Sequence, residues 1–274
     1  TGLFRPRISS TFGTMFMLSV EVCTIYEHEE ATRKIHHVVL TPSFETASQI
    51  NDRLSKFGNL SSDGRPTLSM TAPSLVEEVM EVSKDNLLFP AHAWTPWFSI
   101  FGERSGFDRL KDCYQDMTKH ITAIETGLSS DPPMNWRLSA LDQFTLLSNS
   151  DSHSHWPWRI GREANVFDLE ETTYKSITEA IRTRDPNRFK FTVETHPAYG
   201  KYHWTGHRMC SVSMPAEEAV KRGNICPRCG KKMTKGVEQR VEELADRPYG
   251  HRPPQATEYV HLLPLSEIVA ATYG

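Results

Sequence analysis

Short apolar runs bounded by turn residues alternate with helical spacings along the first two hundred residues of the chain. Runs of about four to eight β-branched or aromatic residues read as strands, and they predict strands over residues 16–22, 35–40, 87–91, 121–124, 144–147 and 189–193. Between them, Phe44, Ala47, Ile50 and Leu54 recur at helical spacing after Pro42-Ser43, and Leu75, Val76, Val79 and Met80 do so after Pro73-Ser74. There Ser74 and Glu77 have the spacing of a capping box. Phe107, Leu110 and Tyr114, then Leu138 and Leu141, then Tyr174, Ile177 and Ile181 predict further helices. Strand and helix alternation of this kind predicts a largely parallel α/β sheet or barrel. After about residue 196 the rhythm gives way to Gly, His, Cys and basic residues, which marks a boundary. From about Val241 the chain reads as a helix followed by an extended, Pro-rich linker through Pro248, Pro253 and Pro254.

At 38% hydrophobic and 24% charged residues, the 274-residue chain has the balance of a soluble globular protein. No run approaches the roughly 18 apolar residues of a membrane helix, and residues 1–7 lack the layout of a signal peptide. The expectation is a cytoplasmic, nucleoid-associated protein without a membrane partner. Net charge is only −3, yet residues 201–240 carry nine basic side chains against three acidic ones, +6 against −9 for the remainder. A basic module on an acidic body suits a phosphate backbone, while a solvated charged face is the plainer alternative.

Three of the five cysteines, Cys210, Cys226 and Cys229, lie in that module, whereas Cys23 and Cys113 read as isolated buried thiols. The pattern points to metal rather than disulfides, in a reducing compartment. Cys226-Pro227-Arg228-Cys229-Gly230 has the form of a zinc knuckle, and His207 with Cys210 completes a Cys3His set, with His203 as the competing fourth ligand.

A second group of metal-type residues falls at or near the ends of predicted strands: Glu21, His36 and His37, His92, Asp151 and His153, with His155 two residues on. In parallel α/β folds the loops that build sites converge at the C-terminal ends of strands. Carboxylates and imidazoles together suit Zn, Mn or Fe, which hold a hydroxide and neutralise a phosphoryl group. The aromatics Trp94, Trp97, Phe98, Trp156 and Trp158 follow directly on these residues, either as a hydrophobic lid or as a surface for a base or sugar.

Several long motifs carry a specific resemblance. Val20-Glu21-Val22, Ile35-His36-His37, Pro90-Ala91-His92-Ala93-Trp94-Thr95-Pro96-Trp97, Ile124-Glu125-Thr126-Gly127-Leu128-Ser129-Ser130-Asp131-Pro132, Ser148-Asn149-Ser150-Asp151-Ser152-His153, Gly161-Arg162-Glu163-Ala164-Asn165 and Gly200-Lys201-Tyr202-His203 resemble PHP-domain phosphoesterases of the endonuclease Q type over nearly the whole chain. The resemblance implies a distorted (β/α)7 PHP barrel with a small zinc-binding module. The implied activity is nicking of DNA 5′ to deaminated bases (uracil, hypoxanthine, xanthine) or abasic sites, in DNA repair. By motif, Glu21, one of the His36 and His37 pair (His36 by its place in the strand), His92, Asp151 and His153 would hold catalytic divalent ions (Zn, Mn or Mg). Ser129, Ser130, Arg162 and Lys201 would bind phosphate or the damaged nucleotide. The zinc module would grip DNA, and relatives fused to a helicase suggest replication or helicase proteins as further partners.

Two departures from the family pattern change the expectation. The family's opening H-x-H strand and following T-H-P segment are not present, so the barrel is expected to be incomplete at its N-terminus and the chain to be part of something longer. Ala198-Tyr199 and Thr205 replace acidic residues next to Gly200 and Gly206. The sequence thus reads as a barrel over residues 1–196, a basic zinc module over 197–240, and a helix and linker over 241–274. The reaction expected is metal-dependent endonucleolytic hydrolysis. The rival readings are a PHP phosphatase or exonuclease on small phosphate esters, and a non-catalytic zinc module that binds nucleic acid.

Overall fold

The computed structural model describes residues 1–5, 13–62 and 64–273. The chain opens with a long antiparallel hairpin, β1 (Leu18–His28) and β2 (Ala31–Thr41), in continuous register from Leu18↔Thr41 to His28↔Ala31. The turn residues Glu29 and Glu30 both have left-handed φ, 49° and 62°, the geometry of a two-residue turn whose twist matches the strands. Glu-Glu lacks the Asn-Gly signature of that turn, so the sequence gives no hairpin signal here.

Helix α1 (Phe44–Leu54) follows, with Ser43 Oγ accepting the Thr46 N–H at 3.1 Å. After the short strand β3 (Thr67–Leu68), α2 (Ala72–Val82) begins earlier than the expected capping box. Thr71 caps it, accepting the Ser74 N–H at 3.2 Å, because Pro73 fits the first turn, where its missing N–H would have had no partner. Then come β4 (Leu87–Pro90), α3 (Leu110–Tyr114), β5 (Ala123–Glu125), α4 (Pro132–Asn135), β6 (Thr145–Leu147), β7 (Ala164–Phe167), α5 (Tyr174–Thr183) and β8 (Phe189–Glu194). Leu138 and Leu141 sit around a single 3-10 turn rather than in an α-helix.

The expected barrel is corrected: among the described residues no closed barrel forms. The strands make a mixed sheet β3-β1-β2-β4, a parallel pair β5-β6 and, farther on, two smaller ladders. The physical reason is the hairpin, which folds β2 straight back on β1 where a parallel sheet would have needed a helical crossover. The tail is corrected too. After the basic module's β9 (Thr205–His207), β10 (Val212–Met214) and α6 (Ala216–Lys221), helix α7 (Val237–Leu244) buries Val237 and Val241 in the main core. In place of a linker, β11 (Glu258–His261) pairs parallel with β8, and α8 (Leu265–Tyr273) follows. None of the described helices is long and apolar enough to cross a membrane.

The main core joins one face of the hairpin (Val22, Ile35, Val39) to α1 and α2 (Ile50, Leu54, Leu75, Val79). Because strand side chains alternate, the other face, with Glu21, His36 and Val38, is turned away from that core. A second cluster, Leu87, Phe89, Ala123, Leu147, Ile181 and Phe189, ties β4, β5, β6, α5 and β8 together.

Candidate active site and metal centre

Alternation along β2 separates the two adjacent histidines. His37 is fully buried between Tyr114 Oη (2.8 Å from Nδ1) and Thr24 Oγ1 (2.9 Å from Nε2), and burial pushes its pKa down to about 3. His36 faces the other way, its Nδ1 3.0 Å from Glu21 Oε1 and 3.0 Å from His92 Nε2. Glu21 Oε1 also lies 3.3 Å from His92 Nε2 and 2.7 Å from Arg65 Nε, an ion pair by distance though not aligned as a hydrogen bond. One ligand atom from each of Glu21, His36 and His92 falls within 4.8 Å of the other two.

The protonation pattern suits a cation. Burial opposes ionisation of Glu21, but hydrogen bonds from His36 and His92 outweigh it and hold the carboxyl well below the usual range. Thr95 Oγ1 donates to the Trp97 carbonyl at 2.9 Å, so at 3.0 Å it accepts from His92 Nδ1. Nε2 is the nitrogen that donates to Glu21, and a bound cation would take the place of that proton while Nδ1 stays donated to Thr95.

His92, Asp151 and His153 all have left-handed φ (29°, 38° and 45°), strain of the kind that collects at functional sites. The loop at Gly127 makes room for His92: a Cβ there would come 2.9 Å from His92 Cα and Cβ. Asp151 Oδ1 meets His153 Nε2 at 2.9 Å. Asp151 lines a cleft of about 830 Å³ together with His92 and His153, and a second of about 420 Å³ with Glu21, His92 and Glu125. His153 is 68% exposed and pairs with Asp151, outside the Glu21 cluster.

Of the expected substrate contacts, Ser129, Arg162 and Lys201 line the larger cleft. Arg162 fixes its loop through Nε to Ser150 O (2.9 Å) and Nη2 to Asp151 O (3.1 Å). Gly200 lets the Lys201 turn lie against the Ser129 loop, since a Cβ there would come 2.4 Å from Ser129 Oγ. Ser130 is fully buried, donates to Thr126 O at 2.7 Å and accepts from Asn135 Nδ2 at 3.2 Å, so its hydroxyl is used within the fold. Trp94 is likewise a core residue, with Nε1 donating to Asn135 Oδ1 at 2.8 Å, whereas Trp156 and Trp158 are half-exposed on the cleft wall.

Sequence reasoning missed three buried acids. Glu125 Oε2 accepts the His92 backbone N–H at 2.9 Å, and burial raises its carboxyl to about 7. Glu163 Oε1 accepts the Thr195 N–H at 3.0 Å and is raised to about 8 by burial and then by the charge of Glu194. Glu194 accepts from Thr192 (2.7 Å) and Thr126 (3.2 Å), and burial raises it to about 7. Glu125 and Glu194 are the last residues of β5 and β8, an acid closing an apolar strand, and that signal was present in the sequence. Arg65 had none, because it precedes a strand of two residues.

In the basic module, the ligand atoms of His207, Cys210, Cys226 and Cys229 lie within 4.8 Å of one another. His207 ends β9, and the knuckle turns on Gly230 (φ 69°), whose N–H donates to Cys226 O at 2.9 Å. Burial opposes ionisation of Cys226, but the backbone N–H groups of Arg228 and Cys229 outweigh it and bring the thiol down to about 6. His203 points elsewhere, with Nδ1 3.1 Å from Ser129 O. Five of the nine cations are paired: Lys221 with Glu217 and Arg222 with Glu218 inside the segment, and, offsetting half of the +6, Lys235 with Glu243, Arg240 with Asp108 and, at 4.0 Å, Lys232 with Glu103 outside it. Among the described residues, Lys201, Arg208, Arg228 and Lys231 have no carboxylate partner, and the last three flank the knuckle.

No protein-family model matches the chain. It is 36% identical over 191 residues to uncharacterized protein MJ0043 of Methanocaldococcus jannaschii, covering 67% of this chain and 23% of that protein. It is 31% identical over 258 residues to uncharacterized protein YqxK of Bacillus subtilis, covering 92% of this chain and 61% of that protein. Two solved structures superpose on 97% of the chain at 33% identity: the lesion-specific endonuclease PfuEndoQ from Pyrococcus furiosus (TM-score 0.81), and an endonuclease Q complex with a 27-mer duplex substrate carrying an abasic lesion at the active site (TM-score 0.82). The chain spans 64% of each of those structures, and so less than two thirds of every relative it matches.

Proposed function

We propose, from the premise that this chain is of the endonuclease Q type, that it carries the active site of a metal-dependent endonuclease that cleaves DNA 5′ to abasic sites and deaminated bases. The observation that carries this reading is the Glu21, His36 and His92 cluster, which opens with Asp151 onto clefts large enough for a nucleotide.

A divalent cation fits the donor set. One ionised carboxylate and two imidazoles converge, and the protons the imidazoles donate to Glu21 are the ones a cation would displace. Glu21, His36 and His92 would hold it, with Asp151 and His153 contributing from the neighbouring loop. Such an ion supplies a Lewis acid and a hydroxide at neutral pH. The chain's own residues do the rest. Arg162 and Lys201 both line the larger cleft and neutralise the phosphodiester, as cations do in phosphoryl transfer. Asp151 is held by Arg162 at its carbonyl and directs its carboxylate to His153, which is placed to hold a proton at Nε2. Glu125 fixes the His92 backbone.

Residues 1–196 then form the phosphoesterase body, and residues 197–240 a zinc module whose His207, Cys210, Cys226 and Cys229 hold one structural zinc. The module's unpaired cations around the knuckle grip the DNA backbone, a location on the nucleoid follows, and residues 241–274 brace the body through β11. The test is Asp151→Asn in the full-length protein, which keeps the shape and removes the charge. Nicking of an abasic duplex in manganese should fall by orders of magnitude while the fold persists; unchanged nicking removes Asp151 from the site.

A further inference from the structure

One cation at the candidate metal cluster has no part in the chemistry above. Arg65 brings its Nε to 2.7 Å from Glu21 Oε1, the oxygen that also meets His36 Nδ1 at 3.0 Å and His92 Nε2 at 3.3 Å. That Nε is closed off from solvent and makes no aligned hydrogen bond, so charge alone joins it to the carboxylate. The backbone keeps it there. Pro66 O accepts the Cys23 N–H at 2.8 Å, and Thr67 and Leu68 of β3 pair with Cys23 and Thr24 of β1, two residues along from Glu21. Gly58 closes the preceding loop onto the same strand, since a Cβ there would come 2.2 Å from Thr67 O.

The three groups on that oxygen differ in one respect. Either imidazole can give up the proton it donates and turn a lone pair to a metal ion. A guanidinium cannot, because it stays protonated at any working pH. We propose that Arg65 is a built-in competitor for the cluster's divalent ion, a positioning residue that holds Glu21 by charge and thereby limits how tightly the site binds metal. The inference rests on the metal-dependent reading above and deepens it. The charge of Arg65 offsets that of Glu21, so with neutral His36 and His92 these four side chains have no net charge to offer an ion, and the neighbouring Asp151 must supply it. An ion about 2 Å from Oε1 would lie within about 5 Å of the Arg65 Nε. At that separation a single charge repels a double one strongly enough to weaken binding about 10- to 30-fold, even at the dielectric constant of water. Occupancy of the cluster then follows the free metal concentration, unlike that of a closed structural zinc site.

The experiment titrates manganese into the full-length protein with its zinc in place and reads free manganese by electron paramagnetic resonance. Thiolate sites disfavour manganese, so the uptake reports the carboxylate and imidazole cluster. Arg65→Gln removes the charge and keeps much of the side chain's length. It should bind manganese about 10- to 30-fold more tightly than wild type, and Arg65→Ala should tighten binding as well. Arg65→Lys, which keeps the charge, should stay close to wild type. Weaker binding in Arg65→Gln and Arg65→Ala is what loss of a merely supporting residue would give, and it overturns the proposal. Equal tightening in Arg65→Lys, or no change in any variant, overturns it too, and each of these results leaves the metal-dependent reading intact. Wild-type protein that takes up no manganese overturns that reading and the role of Arg65 with it.

Discussion

Glu125 reaches across from the end of β5 to accept the backbone N–H of His92 at 2.9 Å, and it thereby fixes the residue whose Nε2 meets Glu21 and His36. Glu125→Ala leaves that N–H without its acceptor in a buried site. We expect a stability loss of about 1–3 kcal/mol and metal affinity weakened about 10- to 100-fold, the usual effect of losing a residue that supports a ligand. Glu125→Gln, which keeps an acceptor oxygen, should recover most of both. Isothermal metal titration and thermal melts check this.

The two adjacent histidines should separate cleanly. His36→Ala removes a candidate ligand that meets Glu21 and His92, so metal binding should collapse while the fold remains. His37→Ala strips Tyr114 and Thr24 of their buried partner and should cost about 1–3 kcal/mol of stability with a smaller effect on metal affinity. The opposite pattern would mean that the strand alternation at this site has been misread.

The buried acid Glu163 gives a signed pH dependence. Its carboxyl is raised from 4.5 to about 8 by burial and then by Glu194, so the folded state holds its proton more tightly than the unfolded chain. Its contribution to stability is therefore complete below about 4.5 and is lost as pH rises through about 8. Glu163→Gln should flatten that decline. The melting temperature of metal-free wild type should fall more between pH 5 and pH 8.5 than that of Glu163→Gln, and a parallel fall in the two would refute the assignment.

Cys226→Ser should release the structural metal and open the small core that Cys226 shares with Met214, Ala219 and Met233. Elemental analysis should show zinc lost from the variant, and amide exchange should quicken across residues 205–234 while the hairpin stays protected. Equal zinc in variant and wild type would argue against the Cys3His assignment.

What the sequence made legible followed from local spacing. Helical periodicity located α1, α2 and α5, and the knuckle spacing brought Cys226 and Cys229 to Cys210 and His207, while His36 was preferred to His37 only by its place in the strand. What it hid depended on tertiary context. The hairpin turns on Glu29-Glu30 without a turn signature, and that one turn replaces a parallel crossover with an antiparallel pair. Strand β11 has no partner until β8 supplies an edge, so Pro253 and Pro254 read as a linker. The +6 of the basic module overstated its free charge because several of its cations meet acids, including Asp108, Glu103 and Glu243, that lie outside the segment.

The central claim is that the Glu21, His36 and His92 cluster holds the metal that cuts lesion-bearing DNA. The most direct measurement pairs metal content with strand-specific nicking of a single-abasic-site duplex in manganese, for full-length wild type and Glu21→Gln. The account expects wild type to retain bound metal beyond its structural zinc and to break the lesion strand 5′ to the site. Glu21→Gln should lose that additional metal, keep the zinc, and nick more slowly by more than the roughly 100-fold typical of a merely supporting residue. Wild-type nicking rates in Glu21→Gln, or unchanged metal content, would contradict it.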